Sequence, residues 1–313
     1  MTPTWGPLRE DDAGRWADLA GAIEAEDRIG EHFTASDLAE KLRNPLLDRE
    51  LGTLAARDGD RLVAVGYLPI RPWADPAHLV TLWGGVHPEH RRRGYGRRLL
   101  DWSAQAARTL HDRAYPGKPL ELHLNINDTN AGAMALAESS GFVEARWFFQ
   151  MEHDLKADIP AKPLPEGVRI TPYTPDLDFM AVRNAAFRDH WGSGPHTPQS
   201  WQANIVGPHA FRPEASFAAM RNERPIAILI THRFEAHVAW IQIIGTLREA
   251  RGKGVASALI AHALTAFKQQ GYGTAGLSVD ATNATGALGV YERAGFAVAR
   301  RTVAYAKPLV TPA

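Results

Sequence analysis

Two segments of this chain carry the same cluster of glycines and cations. His90-Arg91-Arg92-Arg93-Gly94-Tyr95-Gly96-Arg97-Arg98 is echoed about 158 positions later by Glu249-Ala250-Arg251-Gly252-Lys253-Gly254-Val255-Ala256. Glycine has no Cβ, so its backbone adopts positive φ and approaches an anion closely. Where such a turn opens a helix, free N–H groups and the helix dipole favour a negative ligand by roughly 0.3–1 kcal/mol. Arg91, Arg92, Arg93 and Arg97 in one copy, and Arg251 and Lys253 in the other, could add charge-assisted hydrogen bonds to a phosphate. For one isolated copy a solvated basic turn capping a helix is the alternative, because short Gly-x-Gly patterns are common. Two copies in matching contexts point to phosphate binding.

The flanking elements suit that task. Each segment follows an apolar, β-prone run, residues 79–86 and 238–247, and leads into an amphipathic stretch free of Gly and Pro. Leu99, Trp102, Ala106 and Leu110 share one helical face in the first stretch; Ala256, Ile260, Leu264 and Phe267 share one in the second. A short strand and a polar loop containing Asn follow each helix, at residues 121–130 and 276–283. Next comes a short helix ending in Gly-Phe, Gly141-Phe142 or Gly295-Phe296, then Ala-Arg and a closing β-prone stretch. Repetition at this period means a duplicated domain, since solenoid repeats run about 20–50 residues.

In both halves these strings resemble the GNAT superfamily, the acyl-CoA-dependent N-acyltransferases. Its pyrophosphate signature, Gln/Arg-x-x-Gly-x-Gly/Ala, is met by Arg91-Arg92-Arg93-Gly94-Tyr95-Gly96. Read as Glu249-Ala250-Arg251-Gly252-Lys253-Gly254, the second copy departs at its first position, where Glu replaces Gln or Arg. A later pattern, Asn before a helix reading Tyr-Glu-x-x-Gly-Phe, is met by Asn283 and Tyr291-Glu292-Arg293-Ala294-Gly295-Phe296. The resemblance covers most of the length. It implies an α/β (α+β) fold of two tandem GNAT domains, each a mixed, mostly antiparallel sheet flanked by helices. The fourth and fifth strands of each sheet are expected to splay apart.

The same resemblance implies acetyl-CoA as co-substrate. The expected contacts in the second half are Ile244, Gly245, Thr246, Arg251, Gly252, Lys253, Gly254, Val255, Ala256 and Asn283. A second potential site comprises Val86, Arg91, Arg92, Arg93, Gly94, Tyr95, Gly96 and Arg97. A backbone N–H near Ile244 to Thr246 would polarise the thioester carbonyl. Superfamily tyrosines at the place of Tyr291 protonate the departing thiolate, which makes Tyr291 the expected general acid; a ring simply packed in the core is the other reading. Counting back from each Gly-Phe puts Ala137 there in the first half. The first half therefore reads as a degenerate copy and the second as catalytic, by direct attack of an amine in a ternary complex.

Prolines between Asp158 and Gly167 read as an extended connector. They divide the chain into an N-terminal domain 1–156, a linker 157–167 and a C-terminal domain 168–313. The resemblance further implies that the helical stretches near residues 12–43 and 177–187 cover the acceptor site, and the irregular Pro-rich segment 191–198 reads as a lid or acceptor-site loop. The strand 238–246 carries no carboxylate, so Asp189, His190, His196, Glu235 and His237 are the candidate bases for the acceptor ammonium.

Bulk properties set the remaining bounds. A length of 313 residues suits two ordinary domains. Lys plus Arg and Asp plus Glu are both 35, so nothing draws the whole molecule to nucleic acid or membrane. Cysteine is absent, which excludes disulfides, thiolate metal sites and an acetyl-cysteine intermediate. No metal is expected. No run approaches the roughly 20 apolar residues of a membrane span, and a cytoplasmic location is expected. The sequence thus predicts an acetyl-CoA-dependent N-acetyltransferase acting on a primary amine of a small molecule. A protein N-acetyltransferase and a non-catalytic acyl-CoA-binding or sensing protein are the alternatives.

Overall fold

The computed structural model describes residues 2–282 and 286–311. It forms two compact units, Met1–Arg146 with Thr302–Ala313, and Trp147–Arg301. The first contains β1 (Thr4–Gly6), α1 (Ala13–Asp27), α2 (Ala35–Leu42), α3 (Arg49–Gly52), β2 (Thr53–Asp58), β3 (Arg61–Tyr67) and β4 (His78–Val86). It continues through α4 (Tyr95–Ala114), β5 (Leu120–Asn127) and α5 (Ala131–Ser139) into β6 (Val143–Asp154). The second contains β7 (Val168–Pro172), α6 (Phe179–Ala186), α7 (Pro198–Trp201), β8 (Phe217–Arg221), β9 (Arg224–His232) and β10 (Val238–Thr246). After these come α8 (Val255–Gln269), β11 (Thr274–Asp280), α9 (Ala287–Arg293) and β12 (Ala297–Val310).

Within each unit the sheet is antiparallel apart from one step. In the first, β1, β2, β3 and β4 pair in antiparallel order, β4 pairs with β5 in parallel, and the later part of β12 joins β5 antiparallel. In the second, β7 to β10 repeat that order, β10 pairs with β11 in parallel, and β6 joins β11 antiparallel. A parallel step needs a crossover, and α4 and α8 supply it. Their apolar stripes account for their seat: Leu99, Ala106 and Leu110 are buried on α4, and Ile260, Leu264 and Phe267 on α8. Burying such side chains contributes roughly 1.5–3 kcal/mol apiece.

Both parallel ladders stop early. The first runs from His78 opposite Leu120 to Leu82 opposite Leu124, although β4 continues to Val86. The second runs from Val238 opposite Thr274 to Ile241 opposite Leu277, although β10 continues to Thr246. The expected splay is present in each unit.

The compact units do not divide at 156 and 168 as the sequence reading had it. Residues 147–152, read as the closing strand of the first domain, pair with β11, Met151 lying opposite Leu277. Residues of β12 complete the first sheet instead, Tyr305 lying opposite Leu124. Alternation of apolar residues shows that a strand forms and which face it buries, but it does not name the partner strand. The connector 158–167 has no regular structure and belongs to the second unit.

Candidate active site

The two glycine loops are built alike. Gly94 caps α4 with φ of 83° and Gly254 caps α8 with φ of 78°, both left-handed. Arg91 Nε donates to the Val86 carbonyl at 3.3 Å, and Arg251 Nε to the Thr246 carbonyl at 3.1 Å. Arg93 reaches the Glu89 carbonyl at 3.0 Å, and Lys253 the Glu249 carbonyl at 2.8 Å. Equivalent residues therefore stand 160 positions apart, as Arg91 and Arg251 do. The second motif is Arg251-Gly252-Lys253-Gly254-Val255-Ala256, and it fits the signature without the departure expected at Glu249. Spacing alone matched the wrong pair of glycines, because Gly252 answers Arg92, which also holds positive φ, at 62°.

This geometry redistributes the roles of the cations. Arg91 and Arg251 do not reach out from the loop. Arg91 grips both carboxylate oxygens of Asp27 at 2.8 and 2.7 Å, and Arg251 donates to the Ala186 carbonyl at 2.8 Å. They clamp the strand end to α1 or α6. A Cβ placed on Gly252 or Gly254 would meet nothing within 4 Å, so the main chain there stands open to a ligand.

The free edge of β10 leads from that loop. Leu247 N–H donates to the Ile226 carbonyl at 2.9 Å, which fixes the phase of the ladder with β9. Groups alternate along a strand; the N–H groups of Ile244 and Thr246 therefore face away from β9, into the splay. On that side the Thr246 carbonyl is taken by Arg251. A bulge between Ile241 and Ile243 leaves Gln242 exposed where pairing with β11 ends. Gly245 has a packing reason: a Cβ there would lie 3.1 Å from Ala186 and 3.2 Å from the Phe187 ring.

Tyr291 is buried in the cluster that holds Val255 and Phe296, with Ile244 packed against it. Its ring stands edge-on to Phe296, centroids 6.1 Å apart. Its hydroxyl has no hydrogen-bond partner among the described residues. Burial pushes the phenol well above the usual tyrosine range, which keeps it protonated. Ala137 holds the same place in the first unit: the Phe142 N–H returns to its carbonyl at 3.1 Å, as the Phe296 N–H returns to Tyr291 at 3.0 Å. Asn283 lies outside the described residues.

Residues 191–198 are pinned across the mouth of the splay. Arg183 of α6 donates to the Gly194 carbonyl and to Ser193 Oγ, the latter at 2.7 Å. Asn184 brackets His196, donating to its carbonyl at 2.9 Å and accepting from its N–H at 2.8 Å. Trp191 packs beside Phe148 of β6, which lies opposite Asp280 at the end of β11. Because α6 covers β10 at Gly245, the loop passes from one arm of the splay to beyond the other. These bridging contacts carry no sequence signal.

The candidate bases separate by position. His190 is half-buried against Phe187, centroids 5.3 Å apart, with Nδ1 2.9 Å from the Trp191 carbonyl. His196 Nδ1 lies 3.2 Å from Ser200 Oγ, and burial together with the neighbouring Arg183 lowers its pKa to about 4. Asp189 is exposed. Glu235 and His237 precede β10 at the end away from the splay, where the His237 carbonyl accepts from Gly273 and Thr274. At about 3.3 Å per residue they sit on the order of 25 Å from Thr246. Neighbourhood in sequence misplaced them, and neither is at the mouth.

Among the described residues no group of three or more His, Asp or Glu could hold a metal, and no helix is long and apolar enough to cross a membrane. The family model described as Acetyltransferase (GNAT) family matches residues 17–142 and again 177–296. A mycothiol acetyltransferase from Mycolicibacterium smegmatis is 32% identical, over 92% of this chain and 96% of its own length. One from Gordonia bronchialis is 31% identical, over 91% and 96%. A crystal structure of a GCN5-related N-acetyltransferase from Sphaerobacter thermophilus shares the fold, with a TM-score of 0.79 at 24% identity over 99% of this chain and 97% of that one. The chain belongs to the acetyltransferase (GNAT) family, in tandem form, and is an acetyl-CoA-dependent N-acetyltransferase.

Proposed function

We propose that the second unit transfers the acetyl group of acetyl-CoA to the primary amine of a small molecule, in the cytoplasm and without a metal. The observation that carries this reading is the unpartnered hydroxyl of Tyr291, a buried ring in the cluster against which Ile244 of the open strand edge packs, set against Ala137 in the first unit. The coenzyme pyrophosphate sits on the N–H groups of residues 252–256, and its pantetheine arm lies along the free edge of β10. The N–H of Ile244 or Thr246 polarises the thioester carbonyl. The amine attacks the carbonyl carbon, the new C–N bond forms, and the C–S bond breaks. Tyr291 gives its proton to the departing thiolate, and the proton that the attacking nitrogen sheds as the amide forms passes through water to restore the Tyr291 phenol. The ammonium proton leaves before attack, to water or to His190 at the mouth. The first unit keeps its cradle at Gly94 and holds coenzyme without turning it over.

The relatives are named mycothiol acetyltransferase, so mycothiol lacking its acetyl group is the first acceptor to test. A thiol-release assay with that amine, and with a panel of other small amines, should show acetyl-CoA-dependent turnover. Binding of acetyl-CoA with no thiol release from any amine would replace this reading with that of a coenzyme-binding protein.

A further inference from the structure

The first unit carries an obstruction of its own, separate from the missing tyrosine. Its parallel ladder ends at Leu82 opposite Leu124, and the next residue is Trp83; the second ladder ends at Ile241 opposite Leu277, and the next residue is Gln242. An indole therefore stands where the second splay presents a carboxamide. Its direction follows from its neighbours. A Cβ on Gly66 would meet Leu99 and Trp102 of α4 together with Leu82, so Leu82 faces α4. Side chains alternate along a strand, which turns Trp83 toward the α1 side. Tyr67, opposite it, belongs to the cluster of Trp16 and Leu19 on α1. Trp83 is nonetheless 40% exposed, so its ring stands at the opening between β4 and β5 and not in the core.

A carboxylate closes the same side. Asp27 ends α1 and takes two N–H groups from Arg91, beyond β4, and one from Asn130, beyond β5. Asn130 Oδ1 is committed too, accepting from the Ala133 N–H at 3.0 Å. The turn after α1 is folded back by Glu24, which accepts from the N–H groups of Gly30 and Glu31 at 2.9 and 3.2 Å. Ring, carboxylate and turn all belong to the α1 side. The cradle at Gly94 opens α4, and a Cβ on Gly96 would lie 2.8 Å from Leu136 of α5, so the cradle and Ala137 belong to the other side. A coenzyme seated from α4 leaves the α1 side as the way in for a nucleophile. We infer that Trp83 and the Asp27 tie bar that way, so that acetyl-CoA held by the first unit keeps its thioester. This rests on the coenzyme site proposed above for the first unit.

Hydroxylamine tests the barrier without calling on a catalytic residue. Its nitrogen attacks the carbonyl carbon and sheds a proton, the C–N bond forms, and the C–S bond breaks to release the thiol. The full chain carrying Gly254→Val and Tyr291→Phe, which silence the second unit, is mixed in excess with acetyl-CoA, and surviving thioester is followed by chromatography. Cleavage should run at least about tenfold slower than for free acetyl-CoA, as exclusion of solvent nucleophiles allows. Adding Trp83→Gln, a change on an exposed ring, should relieve part of that protection. Adding Asp27→Ala as well should bring cleavage to within about threefold of the free rate, with calorimetric affinity unchanged. Cleavage at the free rate in the silenced chain, protection that survives both changes, or loss of affinity alongside protection would overturn the barrier and leave transfer by the second unit standing. Failure of the silenced chain to bind acetyl-CoA would overturn the barrier and the first-unit site together.

Discussion

The two units keep the same clamp and differ at the mouth it borders. In each, an arginine after the fourth strand seals a carbonyl at the strand end and reaches back to the preceding helix. In the first unit that arginine meets Asp27, whose carboxylate also accepts from Asn130 Nδ2 at 3.2 Å. Asn130 caps α5, so one carboxylate ties the loop after β4 to the loop after β5. In the second unit Arg251 bonds main chain instead, at the Ala186 carbonyl. The first unit thus has a mouth tied through a carboxylate, and it has Ala137 where the second unit has Tyr291. Duplication preserved what orders the loop and changed what the loop serves.

The largest effect that would break this contrast is on turnover. Tyr291→Phe keeps the ring and removes the proton donor; kcat should fall by about 10²–10⁴-fold with little change in acetyl-CoA affinity. Adding Ala137→Tyr to that variant should recover nothing in a thiol-release assay, because the mouth it faces stays tied. Recovery would show that the units differ by one side chain only. On binding, Gly254→Val should weaken acetyl-CoA at the second unit by at least about tenfold, roughly 1.4 kcal/mol, since a branched side chain at positive φ is strained and fills the approach. Calorimetry showing unchanged affinity and stoichiometry would move the coenzyme elsewhere.

Smaller effects sharpen the contrast. Asp27→Ala leaves Arg91 and Asn130 without their shared acceptor and should cost about 1–3 kcal/mol in denaturant unfolding while kcat is unaltered. A drop in kcat would give the first unit a part in catalysis. The smallest effect concerns acid. Burial first, then Arg183, holds the folded pKa of His196 at about 4, below the ordinary 6.5, against a partial offset from Ser200. The unfolded chain therefore takes up its proton first, so stability present above about pH 6.5 is lost as pH falls toward about 4. His196→Asn keeps an acceptor near Ser200 without the titration, and its melting temperature should decline less across that window. An unchanged slope would mean that this histidine is not what stiffens the loop against acid.

Local chemistry was legible in the residues. A glycine that caps a helix, the apolar stripe of α8 and the Gly-Phe that ends a short helix are decided within a few positions, and each stands where the sequence placed it. Register was not, because two Gly-x-Gly pairs look alike until hydrogen bonds show that Gly254 answers Gly94. Tertiary choices were also hidden. Gly245 makes room for Phe187, Gln242 sits at a bulge, and Trp191 reaches Phe148. His237 neighbours the key strand in sequence yet marks its far end.

The exchange of closing strands has a consequence for how this protein is made. Leu122, Leu124 and Ile126 on β5 remain an open sheet edge until residues 302–310 have left the ribosome. Throughout that interval β6, already synthesised and joined to α5 by a short turn, is the nearest strand able to occupy the edge. Open edges invite the first strand that arrives. The native arrangement must therefore displace or outwait a local competitor, and a gene cut between the halves would encode two unfinished sheets, each carrying the other's last strand.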